Sequence, residues 1–241
     1  PDAAGLPCRR PAAFATQGEE FGMKLLGRAL DLLFPPKCPF CQNILEEPAT
    51  PVCPACQKTL PWLVGRAGER KVDFTGGCCS PLAYGGAVRE AVHRYKFSGV
   101  RAYARPFGLL MAQCVQDRPE IIPELITWAP LSRKRRRERG YDQGELLARA
   151  MAEQLKLPAV PTLVKARHTQ PQSGLDSAEA RRANALGAYA LLNGAEVAGK
   201  QVLLADDVVT SGATLSECAR TLMEAGAEYV WCVTLAQARP S

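Results

Sequence analysis

Apolar positions along this chain recur with two periods, and the switch from one to the other marks its elements. Val202-Leu203-Leu204-Ala205 is short and unbroken, which predicts a strand buried on both faces. Leu215, Ala219, Leu222 and Met223 then return at helical spacing, so a helix packs on that strand. Upstream, Val88, Ala91, Val92 and Tyr95 share one helical face, and a second helix is predicted over Tyr103 to Val115. Leu125 to Leu131 reads as a short buried strand, followed by a helix through Leu146, Leu147, Ala150, Met151 and Leu155. Strands near Val160 to Val164, Ala188 to Leu192 and Tyr229 to Ala236, with a short helix near Ala178 to Ala185, continue the alternation. The pattern predicts an α/β fold with a mostly parallel sheet flanked by helices.

At 241 residues the chain accommodates one such domain of about 150 residues and a small module. Pro1 to Gly22 is rich in Pro, Ala and Gly without periodicity, as in a disordered tail, and Met23 is a candidate start that opens an amphipathic segment. The expected division is therefore 1–22 as tail or mis-called start, 23–80 as a metal module with a leading amphipathic helix, and 81–241 as the sheet domain.

The module is read from its cysteines. Cys38-Pro39-Phe40-Cys41 and Cys53-Pro54-Ala55-Cys56 are two C-x-x-C knuckles separated by eleven residues, the spacing of a tetrahedral four-thiolate zinc site. A redox pair accounts for one such motif but not for two. Four thiolates leave no open position, so the zinc is expected to be structural and to supply the folding energy of a module with little core of its own. No apolar stretch reaches the roughly 18 residues of a membrane span, and residues 1–22 lack the apolar centre of a secretory signal. A cytoplasmic location follows as an expectation, in which ten cysteines mean metal ligands and reduced thiols rather than disulfides. Cys78 and Cys79 are adjacent and cannot form an ordinary knuckle, while Cys218 and Cys232 fall in predicted core elements.

The net charge of +6 is moderate, but six of the seven residues from Arg133 to Arg139 are basic, which predicts a solvated loop or an anion-facing surface. The sharpest chemistry lies after the buried strand. Gly212 permits close backbone approach, Thr210, Ser211 and Thr214 offer hydroxyls, and the helix that follows presents unpaired N–H groups and a positive dipole end. A phosphate fits there. Asp206 and Asp207 suit ribose hydroxyls, or a magnesium ion bridging ribose and pyrophosphate. Neither a P-loop nor a dinucleotide-binding glycine motif is present in this stretch.

The fourteen residues Val202 to Leu215 closely resemble the 5-phosphoribosyl-1-pyrophosphate (PRPP) motif of type I phosphoribosyltransferases. The resemblance assigns Asp206 and Asp207 to the ribose hydroxyls and Thr210, Ser211, Gly212, Ala213 and Thr214 to the 5-phosphate. The whole chain from Phe34 onward resembles the competence protein F (ComF) family, also called amidophosphoribosyltransferase-like or GntX-like proteins. That likeness rests on the zinc knuckles, Tyr84-x-Gly86 to Lys96, Pro130-Leu131, Arg139-Gly140-Tyr141-x-Gln143, Thr169-x-x-Gln172-x-x-Leu175, Arg181-x-x-Asn184 and the phosphoribosyl motif. Where many relatives carry a second C-x-x-C, this chain has Cys78-Cys79.

By position, the stretch after Pro130 resembles the pyrophosphate loop of phosphoribosyltransferases, with Arg133, Lys134 and Arg139 as candidates. The resemblance implies PRPP with Mg²⁺ as ligand, and single-stranded DNA and competence proteins of natural transformation as partners. Three functions stay open at this point: a ComF-type DNA-handling factor, an active transferase passing phosphoribose to a nitrogen nucleophile with loss of pyrophosphate, and a PRPP-responsive regulator. No general base can be nominated, and His93 and His168 stand at neither metal nor triad spacing.

Overall fold

The computed structural model describes residues 35–47, 50–167 and 177–238. The tail, the amphipathic segment from Met23, His168 and the Thr169 to Leu175 motif lie outside these residues. In chain order the elements are α1 (Pro54–Thr59), β1 (Glu69–Arg70), β2 (Cys78–Cys79), β3 (Leu82–Ala83), α2 (Gly86–Phe97), α3 (Ala104–Gln116), β4 (Leu125–Trp128), α4 (Arg133–Arg139), α5 (Gln143–Leu155), β5 (Leu163–Lys165), α6 (Ala178–Ala185), β6 (Tyr189–Leu191), β7 (Gln201–Val209), α7 (Ala213–Glu224) and β8 (Tyr229–Gln237).

The main sheet runs β1-β2-β8-β7-β4, with β3 also against β8. All its pairings are parallel except β1 with β2. β5 and β6 form a separate antiparallel pair, so of the strand expected near Val160 to Val164 the first residues touch the main sheet, through a parallel bridge of Ala159 to Ile126, and the rest leaves it. Alternation along β7 divides the core into two layers. Leu203 and Ala205 pack with Phe107 and Met111 of α3 and with Leu147 and Met151 of α5. Val202 and Leu204 face the other way, onto Leu215, Cys218 and Leu222 of α7. The unbroken apolar run thus serves a strand covered by helices on both sides.

One expectation changes. The basic run is a helix rather than a loop. Ser132 Oγ accepts from Arg135 N–H at 3.4 Å at its start, and Gly140 takes a left-handed conformation (φ 75°) at its end. Arg and Lys are good helix formers, and between such a cap and such a stop the charge run has no reason to unwind. The cysteine module also shares its core with the sheet domain. Phe40 meets Phe107 of α3 at 5.8 Å between ring centroids, and Cys38, Phe40, Leu45 and Cys56 join one apolar cluster with Tyr95, Met111 and Leu235. Module and sheet domain do not have separate cores. Among the described residues no helix is long and apolar enough to cross a membrane.

Candidate functional site

At the metal centre the Sγ atoms of Cys38, Cys41, Cys53 and Cys56 all lie within 4.8 Å of one another. Cys41 and Cys53 approach to 3.5 Å. Tetrahedral Zn–S bonds of about 2.3 Å require sulfur separations of about 3.8 Å, so the residues fit a four-thiolate zinc. Pro54 starts α1 directly after Cys53, and the Cys53 sulfur accepts from Cys56 N–H at 3.5 Å, which turns both thiols of that knuckle inward. Burial opposes ionisation of Cys38, but N–H groups of Cys53, Cys41 and Phe40 outweigh it and bring its pKa down to about 7. Cys38 is thus poised to give up its proton as metal binds, whereas burial raises the pKa of Cys41 and of Cys56.

β7 extends to Val209, so Asp206 and Asp207 lie inside the strand rather than at a solvent-facing end. Consecutive strand residues face opposite ways, and the two acids have different surroundings. Asp207 is 5% exposed, on the side of α2 and α5. Its Oδ1 is 2.6 Å from Lys96 Nζ, and its Oδ2 accepts from Gln143 Nε2 at 3.4 Å. Asp206 is half-buried on the α7 side, its Oδ1 accepting from Asp207 N–H at 2.8 Å. Burial, then the charge of Asp207, raise the Asp206 pKa to about 7, with Lys96 pulling the other way.

Thr210 to Gly212 turn the chain from β7 into α7, with Gly212 at φ 79°, a conformation costly for other residues. Arg70 donates from its guanidinium to the Thr210 carbonyl. A small pocket of about 30 Å³ opens beside the turn, bounded by Ser211, Gly212, Ser216, Lys71, Asp73 and Arg182. The start of α7 therefore faces Lys71 and Arg182 from distant segments, with Asp73 Oδ2 3.7 Å from the Arg182 guanidinium and balancing part of that charge. Thr214 lies beside the buried Tyr189 phenol. Lys165 Nζ donates to that phenol oxygen at 3.2 Å.

Of the basic-run candidates, Arg133 and Lys134 are exposed on α4, and Arg139 is half-buried with its guanidinium 4.8 Å from the Phe97 ring centre. Arg135 is half-buried, and it lies near enough to Lys165 and Tyr189 to influence their charge states. Burial, then Arg135, lower the Lys165 pKa. Lys96, Gln143, Lys165, Tyr189, Arg70 and Lys71 all reach the site without having been assigned to it from sequence. Lys96 and Gln143 did carry a signal, since both stand in family-like motifs. Lys165 and Tyr189 lie on the small β5–β6 pair and carried none.

A sheet with a phosphate-type turn at the carboxyl end of a central strand, joined to a four-thiol knuckle, defines a phosphoribosyltransferase-type protein with a zinc ribbon. The phosphoribosyl transferase domain model matches residues 142–241, and the double zinc ribbon model matches residues 29–70. Competence protein F of Haemophilus influenzae (strain ATCC 51907 / DSM 11121 / KW20 / Rd) is 28% identical over 232 residues, covering 84% of this chain and 97% of that protein. DNA utilization protein YhgH of Salmonella typhimurium is 30% identical over 203 residues, covering 81% of this chain and 82% of that protein. Competence protein ComFC of Bacillus subtilis is 28% identical over 220 residues, covering 86% of this chain and 87% of that protein. The chain belongs to the ComF family. The ribbon is represented by one cluster of four cysteines among the described residues, and Cys78 and Cys79 are buried in β2 rather than forming a second knuckle.

Proposed function

We propose that this chain binds PRPP or a closely related phosphoribosyl ligand, with the 5-phosphate at Thr210 to Thr214 and the ribose hydroxyls at Asp206 and Asp207. The observation that carries this reading is the junction of the two acids with the glycine turn, whose Gly212 opens the N-terminus of α7. Mg²⁺ is the accompanying ion, held between these carboxylates and the pyrophosphate of the ligand. Titration calorimetry with PRPP and Mg²⁺ tests it: Asp206→Asn with Asp207→Asn is expected to abolish binding while circular dichroism stays that of the parent. Unchanged affinity in the double variant rejects the assignment.

The family placement adds a context. Relatives are named for competence and DNA utilization, and α4 carries Arg133, Lys134, Arg136 and Arg137 exposed on a helix beside the 60% exposed Phe97. Exposed cations on a helix whose half-buried Arg139 lies over the Phe97 ring fit a single-stranded nucleic acid, by phosphate contact and base stacking. We therefore favour a phosphoribosyl-ligand protein working in DNA uptake. Turnover is the second reading: transfer of phosphoribose to a nitrogen nucleophile, with pyrophosphate released beside Arg133, Lys134 or Arg139. Pyrophosphate release from PRPP and Mg²⁺ in the presence of a panel of bases and amines separates an enzyme from a PRPP-responsive binder.

A further inference from the structure

The last turn of α2 meets the acid pair in a way that the phosphoribosyl motif does not account for. Lys96 reaches Asp207 Oδ1 at 2.6 Å, and Gln143, at the start of α5, reaches Oδ2 at 3.4 Å. The backbone that carries these two side chains is itself tied together. Tyr95 donates its hydroxyl to the Gln143 carbonyl at 2.9 Å, and the Tyr141 hydroxyl donates to the Tyr95 carbonyl. Tyr95 is fully buried and Tyr141 nearly so. The family-like segments ending in Lys96 and running from Arg139 to Gln143 thus converge on one carboxylate.

We propose that Lys96 is a positioning residue for ligand binding, which fixes the plane of the Asp207 carboxylate so that its remaining lone pairs receive the ribose hydroxyls. An ionised carboxylate has about four acceptor positions, so one contact on each oxygen leaves capacity on both. Lys96 and Gln143 grip the two oxygens separately and remove rotation about the terminal bond. A carboxylate free to rotate would pay that ordering cost on binding. This role rests on the phosphoribosyl reading and adds to it a residue from outside the motif.

Ribose 5-phosphate and inorganic phosphate, titrated separately by calorimetry, give the test, because only the first has hydroxyls for Asp207 to read. In Lys96→Gln, ribose 5-phosphate is expected to bind about tenfold or more weakly, as for loss of an oriented hydrogen bond to a charged group, with phosphate affinity and zinc content unchanged. Lys96→Arg should recover part of the loss. Equal affinity for ribose 5-phosphate in parent and Lys96→Gln, or equal losses for both probes, overturns the proposal. Should Lys96→Gln fail to fold because Asp207 is left buried and unpaired, Asp207→Asn removes that charge, and the double variant is compared with Asp207→Asn alone. Matching affinities then support a role acting through Asp207, and a further tenfold loss overturns it in favour of direct contact with ligand. A parent protein that binds phosphate but not ribose 5-phosphate defeats the phosphoribosyl reading itself, and the role of Lys96 with it.

Discussion

The zinc knuckle and the acid-pair site are built on opposite plans. The knuckle takes its four ligands from nineteen consecutive positions, Cys38 to Cys56, and local geometry does the rest: a proline after Cys53, a short helix, and thiols turned to one point. The acid-pair site takes Asp206 and Gly212 from one strand-turn-helix but gathers Lys71, Lys96, Gln143, Lys165, Tyr189 and Arg182 from segments spread over more than a hundred residues. A site made from one segment can be read from spacing. A site made by topology shows only its central segment in the sequence.

Breaking the knuckle is expected to give the largest effect. Cys41→Ser should lose zinc and, because Phe40 packs on Phe107 in a core shared with α3, lower the melting temperature of the whole protein rather than of the module alone. Differential scanning calorimetry with zinc analysis checks this, and an unshifted main transition would mean that the module folds apart from the sheet domain.

Next in size is Gly212→Val. The residue stands at φ 79°, where a β-branched side chain is strained, and an added Cβ would lie 3.4 Å from Val72 Cγ2. Binding of PRPP and of inorganic phosphate should both fall at least tenfold while zinc content is unaffected. The two regions would then be shown to fail independently.

The fold was legible where periodicity was strong. The β7–α7 unit, α2, α3, α5 and β8 all fall within a few residues of the spans predicted from apolar spacing. The basic run was not, because charge composition speaks for exposure and says nothing of backbone conformation; Ser132 and Gly140 were the signals for a helix, as cap and stop. Asp206 and Asp207 were found by motif, but their different surroundings follow from the strand running on through both, so that alternation sends them to opposite faces. Lys165 and Tyr189 lie on a two-stranded pair far along the chain, and only folding brings them to Thr214.

A smaller effect concerns proton uptake at the acid pair. The folded-state pKa of Asp206 is raised to about 7, so between about pH 4 and 7 the folded empty protein keeps a proton that the unfolded chain has released. Stability should therefore fall as pH rises through this window. Asp206→Asn should flatten that slope in urea titrations, and an unchanged slope would place the ionised carboxylate in a wetter setting than its burial implies.

The smallest expected effect bears on whether the two regions are separate at all. Arg94, two residues before Lys96 on α2, donates to the carbonyls of Pro39 at 2.8 Å and Phe40 at 3.2 Å, inside the first knuckle. The same helical turn therefore grips the zinc loop with one side chain and Asp207 with another. Arg94→Ala keeps every thiol and every group of the acid-pair site, yet loosens the attachment that sets the height of Lys96. Ribose 5-phosphate affinity should fall by about two- to fivefold with zinc retained, the scale of a modest coupling between sites. Parent-like affinity in this variant would leave the knuckle and the ligand site as neighbours joined by a common core but without energetic coupling.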